Sequence, residues 1–436
     1  MPTAEPAPSG TGSPRPNTAD LPTRMAEATG QRADTLFVTL FILGLAGLWT
    51  ALLTVSSVTL SLRVADLSPD GKAAALSTIA SAGAAVALFA NPVFGRLSDL
   101  SASRWGQRRP FMIGGGLLGF AALLLIGVAP SLLVVGIGWC LAQLFFNAAL
   151  AAITAVMPER IPDHLKGRVS GLMGMTSQVG VVAGTFIVQF TGTHGLGMFV
   201  VPGAIGVGLL LAFALHLREV PRSRAELPRF TLLDIPRSLW INPIRHRDFA
   251  LAWLGRFLTW IAVSLLTTYK TYFLIDRLGY TSESAAPILF WAMLILAVTV
   301  ILGSNVAGTL SDLVRRRKVF VIGASLIFGA GMVTVAAADS VEAFLVGVAV
   351  AGIGQGAYMG VDYAMVAALL PNKDTDAAKG MGVFNLSSTV PQTIAPALAP
   401  LFLAIGGGGN YTALYLGAGI FSVVGAVVIQ FIRGSR

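Results

Sequence analysis

Charge is what this sequence has least of. Only 12% of its 436 residues are Asp, Glu, Lys or Arg, against 55% hydrophobic residues and a mean hydropathy of +0.75. Soluble domains carry about 25% charged residues, and none could enclose so many apolar side chains, so that class is excluded. Cysteine is nearly absent: Cys140 stands alone and rules out an intrachain disulfide. His164 and His194 are isolated loop residues, and no cluster of His, Cys and acids has metal-ligand spacing. No glycine-rich loop ends in Gly-Lys-Ser or Gly-Lys-Thr, which removes an ATP motor. The sequence therefore predicts no enzyme, no cofactor and no metal. Nor does it hold a nucleic-acid module, despite a formal net charge of +9 and a pI near 10.0. No short apolar core with a small-residue cleavage site precedes the first apolar run, so no signal peptide is expected.

Long apolar runs are what remains. Crossing about 30 Å of hydrocarbon takes about 20 helical residues. Twelve spans are predicted, near 36–61, 74–95, 110–129, 131–157, 168–190, 197–217, 250–275, 286–308, 319–338, 342–370, 380–404 and 411–432. The connections after even-numbered spans carry Arg96, Arg104, Arg108 and Arg109, then Arg160, Lys166 and Arg168, the arginines of 218–247, Arg315 to Lys318, and Lys373 with Lys379. Alternate connections carry only Arg63, Lys72 and Arg277. This asymmetry predicts a multi-pass protein of the plasma membrane with both termini and the central loop cytoplasmic. The surplus positive charge then faces anionic lipid. Residues 1–34, rich in Pro, Ala, Thr, Ser and Gly, read as a disordered cytoplasmic tail.

The chain repeats itself. GRLSDL at Gly95–Leu100 recurs as GTLSDL at Gly308–Leu313, and the offset of 213 between Asp99 and Asp312 also maps Pro158 onto Pro371 and Gly167 onto Gly380. Three anchors at one offset predict an all-α membrane protein of twelve helices in two pseudo-symmetric six-helix halves. The expected division is 1–34 tail, 35–217 first half, 218–249 central loop and 250–436 second half, with a substrate site between the halves.

The repeated aspartates suggest a switch. Asp99 and Asp312 are expected just beyond spans 2 and 8, in tight turns marked by Gly95 and Gly308. Spans 5 and 11 begin on the same face, near Gly167 and Gly380. An aspartate of one half against a helix N-terminus of the other would gain about 0.3–2 kcal/mol, with Arg108, Arg109 and Arg168 holding the carboxylates. Such a clasp would favour the outward-facing state. The plainer alternative leaves the arginines as topology signals alone.

These residues carry a resemblance. Gly-x-Leu-Ser-Asp followed by Arg-x-Gly-x-Arg-Arg resembles the loop signature of the major facilitator superfamily. The fuller SRWGQRRPF at Ser103–Phe111 is similar to the glycoside–pentoside–hexuronide cation symporters and the related sucrose–proton symporters. MGVFNLSSTVPQ at Met381–Gln392 resembles the eleventh span of the sucrose group. The resemblance implies a major facilitator fold moving a sugar or glycoside together with a cation. Sodium-coupled melibiose-type symporters place carboxylates where this chain has Asn91 and Ala87. A hard cation lacks its oxygen ligands there, which points to protons or to no ion.

Few polar residues remain inside the spans. Asp362 lies nine residues before Pro371, about 14 Å along a helix, and so near mid-membrane. A carboxylate there costs about 2.5–3.5 kcal/mol unless paired, protonated or facing water, which makes Asp362 the candidate for proton coupling or one arm of a structural ion pair. Gln143, Asn147, Tyr358, Asn385, Gln392, Lys270 and Trp260 are the candidate substrate contacts; Gln178, Gln355 and Trp139 complete the cavity set. Lys270 either lines the cavity or snorkels outward, and Arg256 reads as an interfacial anchor. Pro391 frees the carbonyl near Ser387, so its helix is expected either to break beside the amides as a polyol site or to kink, with the amides as interhelical glue. Gly352, Gly356 and Gly360 form a small-residue ridge for close helix packing. Asn410-Tyr-Thr412 has the form of a glycosylation triplet, which arises often by chance. Together these predict a monomeric secondary transporter in the lipid bilayer, importing a small-molecule sugar or glycoside with protons by alternating access. The rivals are a proton-driven exporter of drugs or metabolites and a receptor or scaffold that moves nothing.

Overall fold

The computed structural model describes residues 29, 33–220, 244–314, 316–369, 377–406 and 408–433. Most of the predicted tail, the central loop from 221 to 243, Arg315, Pro371 and Lys373 lie outside the described residues.

Among the described residues twelve long helices run back and forth, and no strand occurs. They are α1 (Thr35–Leu67), α2 (Lys72–Asp99), α3 (Arg109–Val128), α4 (Leu132–Arg160), α5 (Asp163–Thr191) and α6 (Gly197–His216) in the first half. The second half holds α7 (Arg247–Arg277), α8 (Ser282–Val314), α9 (Arg317–Ala336), α10 (Val341–Leu369), α11 (Ala377–Leu403) and α12 (Tyr411–Gln430). Eleven of them contain an apolar stretch able to cross a membrane. The exception is α11, where Asn385, Ser387, Ser388, Thr389, Gln392 and Thr393 dilute the apolar residues. α1 runs several residues beyond its expected end, through a π-helical turn at Val55–Thr59, and α7 ends in another at Phe273–Arg277.

Local signals set the helix ends. The Asp34 side chain accepts the Phe37 N–H at 2.8 Å and caps α1, and Asn410 caps α12 by accepting from Ala413 N at 2.9 Å. Asn410 thus has a structural task in its triplet. Pro110 falls in the first turn of α3, where its missing N–H costs nothing. Gly106 carries the positive φ, 96°, that turns the loop before α3.

In the first half α2 packs on α4, α3 on α4 and α6, and α1 on α5 and α6; in the second, α10 lies between α8 and α9, and α12 packs on α7 and α9. Large apolar side chains such as Leu133, Phe190, Leu302 and Val306 stay exposed, as a lipid-facing surface requires. The glycine ridge performs the predicted packing. A Cβ on Gly356 would lie 2.1 Å from Val300 O, and one on Gly360 2.3 Å from Ser304 O, so α10 and α8 touch backbone to backbone.

The halves meet along α2–α11 and α5–α8, and their polar bridges gather at the end away from the basic connections. There Lys72 Nζ meets Asp276 Oδ1 at 2.5 Å and sits over the Tyr272 ring at 5.4 Å. Tyr272 donates to Ser61 O at 2.9 Å, and Ser77 donates to Pro396 O at 2.5 Å. His194, isolated in the sequence, stands 2.9 Å from Asp66 and 3.8 Å from Glu283 of the other half.

Candidate functional site

Between the halves lies a cavity of about 420 Å³. α1 supplies Trp49, Leu52, Leu53 and Ser56, and α2 supplies Ala84, Ala87, Leu88, Asn91 and Pro92. Gln143, Asn147 and Leu150 come from α4; Asn385, Leu386, Thr389 and Gln392 come from α11. Four of the predicted substrate residues, Gln143, Asn147, Asn385 and Gln392, therefore converge from opposite halves. Asn385 and Gln392, seven residues apart, share one face of α11 and are solvent-exposed.

Five carboxamides and two hydroxyls give the lining both donors and acceptors, and no lining residue is charged. Asn147 Nδ2 donates to Gln143 O at 2.8 Å and lies 3.2 Å from Gln143 Oε1, which fixes one amide pair. Trp49 brings the aromatic face, a role expected of Trp260 or Trp139. Trp139 is buried against Gly83, and Trp260 lies beside Arg256, 5.8 Å from ring centroid to guanidinium carbon. Gln178 lines a separate apolar cleft between α5 and α8.

Tyr358, Lys270 and Asp362 are absent from this lining. Lys270 neither snorkels nor faces the cavity; it is fully buried and donates to Thr267 O, 2.5 Å away on its own helix. Asp362 is fully buried and its Oδ2 pairs with Arg256 Nη1, an ion pair between α10 and α7. Arg256 is thus a 2%-exposed intramembrane partner and not an interfacial anchor. Its guanidinium carbon also lies 4.4 Å from the centroid of Phe384 on α11. Asp362 Oδ1 and the Tyr358 hydroxyl, one turn apart, are buried and make no hydrogen bond.

Pro391 does not break its helix. α11 runs unbroken from Ala377 to Leu403 through Pro391, Pro396 and Pro400. Each proline frees the carbonyl four residues earlier, and Pro396 O, freed by Pro400, accepts from the hydroxyls of Ser77 at 2.5 Å and Tyr269 at 3.3 Å.

At the basic end the predicted cross-half clasp is not formed. Gly95 and Gly308 lie inside α2 and α8, and the aspartates sit in last turns instead of in tight bends. Asp99 pairs with Arg108 of its own half at 2.5 Å, and Asp312 with Arg317 of its own half at 3.3 Å. Arg108 also binds Glu159 and Ser98. Burial opposes its charge, but the hydrogen bond and charge of Glu159, and then Asp99, hold its guanidinium above the ordinary value. Arg109 donates to Ala214 O at 3.0 Å, and Arg168 is exposed beside Asp34 and Thr35 at a groove between α1 and α5. The halves touch at their other ends, so neither Asp99 nor Asp312 reaches the opposite half.

Glu219 was not foreseen. Its carboxylate accepts the backbone N–H groups of Arg108 and Arg109, at 2.9 Å each, and fills the N-terminus of α3. Arg160 donates to Arg218 O beside it. Burial drives the Glu219 carboxyl above the usual range, and the two N–H bonds only partly oppose this.

Comparison with known proteins defines the class. The family model described as Major Facilitator Superfamily matches residues 36–305 and 288–435, and the chain belongs to that superfamily. Similar solved structures include the nucleoside transporter NupG, with TM-score 0.68 and 13% identity, covering 91% of this chain and 99% of that one. A D-xylose–proton symporter gives TM-score 0.67 and 16% identity, covering 92% and 99%. A bacterial homologue of the human lysosomal transporter Spinster, inward-facing and occupied, gives 0.62 and 16%, covering 91% and 93%. A search of curated sequences returned no match. Family and fold indicate a multi-pass membrane transporter and not an enzyme.

Proposed function

We propose that this protein is a secondary transporter that takes up a sugar or glycoside with protons by alternating access. The observation that carries the reading is the uncharged cavity, in which five carboxamides and the Trp49 ring from both halves surround about 420 Å³. Planar amides match vicinal hydroxyls as paired donors and acceptors, and an indole face suits the apolar side of a sugar ring. An ionised solute would meet no counter-charge among these residues, and would lose its hydration uncompensated.

With the basic connections in the cytoplasm, as the distribution of Arg and Lys supports, the closed seam is external and this is the inward-facing arrangement. Asp362 is the proton site. Paired with Arg256 it is ionised; a proton converts it to the neutral acid and releases Arg256 from a full counter-charge. The alternation of these two states inside a low-dielectric bundle ties proton movement to conformation.

Uptake of a panel of radiolabelled sugars, glycosides and nucleosides into proteoliposomes, with and without an inward proton gradient, tests the reading. Gradient-dependent sugar accumulation that collapses in Asp362→Asn is expected. Uptake of nucleosides alone would reassign the solute. Gradient-driven extrusion of cationic drugs with no sugar movement would replace import by export.

A further inference from the structure

The proton site and the cavity do not share a residue. Asp362 is sealed, whereas Asn385 and Gln392 line open space, so some structure must carry the state of one to the other. Phe384 and Asn385 are consecutive residues of α11. The first packs on the Arg256 guanidinium at 4.4 Å, and the second lines the cavity. Phe384 is fully buried, with Phe249 of α7 at 6.4 Å between ring centroids. Immediately before it, Val383 O accepts the Trp253 indole N–H at 2.9 Å, a second tie from α7 to α11.

We infer that Phe384 is the positioning residue that couples the proton site to the solute cavity, through the attraction of its ring for Arg256. The inference rests on the proton-coupled reading of Asp362. In the ion-paired state Arg256 is held by the Asp362 carboxylate and by the faces of Phe384 and Trp260, the latter at 5.8 Å. The groups about the carboxylate are Arg256 from α7 and Tyr358 from α10 itself, with Thr259 of α7 beside the Tyr358 hydroxyl. When Asp362 takes a proton from solvent, its carboxylate becomes a carboxylic acid and Arg256 keeps its charge. The Phe384 ring, at 4.4 Å, then attracts the guanidinium without the Asp362 charge to compete, because a cation is drawn to the negative face of an aromatic ring. Arg256 follows that attraction, and Phe384 with it. A displacement at Phe384 displaces Asn385, its covalent neighbour, and with it the cavity wall built by Leu386, Thr389 and Gln392.

The test reads the wall without any solute. In a Cys140→Ser background, Thr389→Cys supplies the only cysteine, and its maleimide labelling rate is followed in proteoliposomes from about pH 5 to 8. Each rate is divided by that of the same protein unfolded in SDS, which removes the titration of the thiol itself. The expected result is a pH-dependent rate in the parent that becomes flat in Asp362→Asn and in Phe384→Leu, and returns in Phe384→Tyr. Pentafluorophenylalanine in place of Phe384 keeps the shape and reverses the ring's charge distribution, so it should also be flat even if the leucine variant fails to fold. Parent-like pH dependence with the fluorinated ring, beside a flat Asp362→Asn, overturns the role of Phe384 and leaves the proton site standing. A flat parent overturns the proton reading itself and the coupling with it.

Discussion

Removing one member of the Arg256–Asp362 pair should be far more damaging than removing both, and the two single removals should differ. Arg256→Leu leaves a carboxylate with no exposed surface, and breaking a buried pair in this way costs about 3–5 kcal/mol. Asp362→Asn leaves the guanidinium, which still has the rings of Phe384 and Trp260. Those contacts are worth about 1–2 kcal/mol in a desolvated setting, so the expected loss is about 2–3 kcal/mol. The double variant Arg256→Leu with Asp362→Asn removes both charges and should regain most of the loss. Thermal unfolding in detergent, followed by tryptophan fluorescence, gives the ranking directly. Acidifying the buffer should shrink the Arg256→Leu penalty, because the orphaned carboxylate can escape by taking a proton, whereas it cannot rescue Asp362→Asn. The reasoning fails if Arg256→Leu is the milder single change, or if the double variant unfolds below both.

The seam between the halves should yield to a single substitution. Lys72→Met removes one partly exposed ion pair, worth about 0.2–1 kcal/mol, and should raise the labelling of a cysteine at Ser77 from the side away from the basic connections by roughly two- to five-fold; no change would show that this pair does not hold the seam. Gly356→Ala must push Val300 O away and should cost about 1–3 kcal/mol in thermal unfolding, while Gly323→Ala, whose Cβ meets nothing within 4 Å, should be neutral or slightly stabilising. Because burial raises the Glu219 carboxyl, its contribution to stability is full below the unfolded-state value and fades as pH rises through the folded one. Glu219→Gln keeps an acceptor for the α3 N–H groups, so its melting temperature should fall less than wild type between about pH 4 and 8.

The hydrophobic runs made the twelve helices legible, since length and apolarity decide what crosses a bilayer, and the 213-residue offset made the two halves legible. Gln143, Asn147, Asn385 and Gln392 could be found because an amide inside an apolar span has little other use. Asn91 carried the same signal but was read only as the absence of a carboxylate. Trp49 gave none, since a tryptophan in a span is as often packed as displayed. The partner of Asp362 was hidden for another reason: Arg256 lies 106 residues away, and helix periodicity says nothing about which helices become neighbours. A cross-half clasp is expected only when the basic ends are together, and here the halves meet at the opposite ends, so each aspartate is held within its own half. Arg108 is only nine residues from Asp99, and closing so short a loop costs little entropy. Glu219 was overlooked because nothing in the sequence shows that the chain after α6 folds back onto the start of α3.

The polar ties across the seam that shuts one end of the molecule are a handful of modest contacts: one partly exposed ion pair, a histidine between two acids, and hydroxyls donating to Pro396 and Ser61. Hydrogen bonds of this kind contribute about 0.5–1.5 kcal/mol each, and an exposed ion pair about 0.2–1 kcal/mol. Weak fastening is what a carrier needs. A deep well on either side would trap the protein there and turn each cycle into a rare escape, while shallow wells of similar depth let thermal motion sample both. The direction of net flow is then chosen by what is dissolved on each side of the bilayer, and turnover is limited by how quickly the seam parts and re-forms.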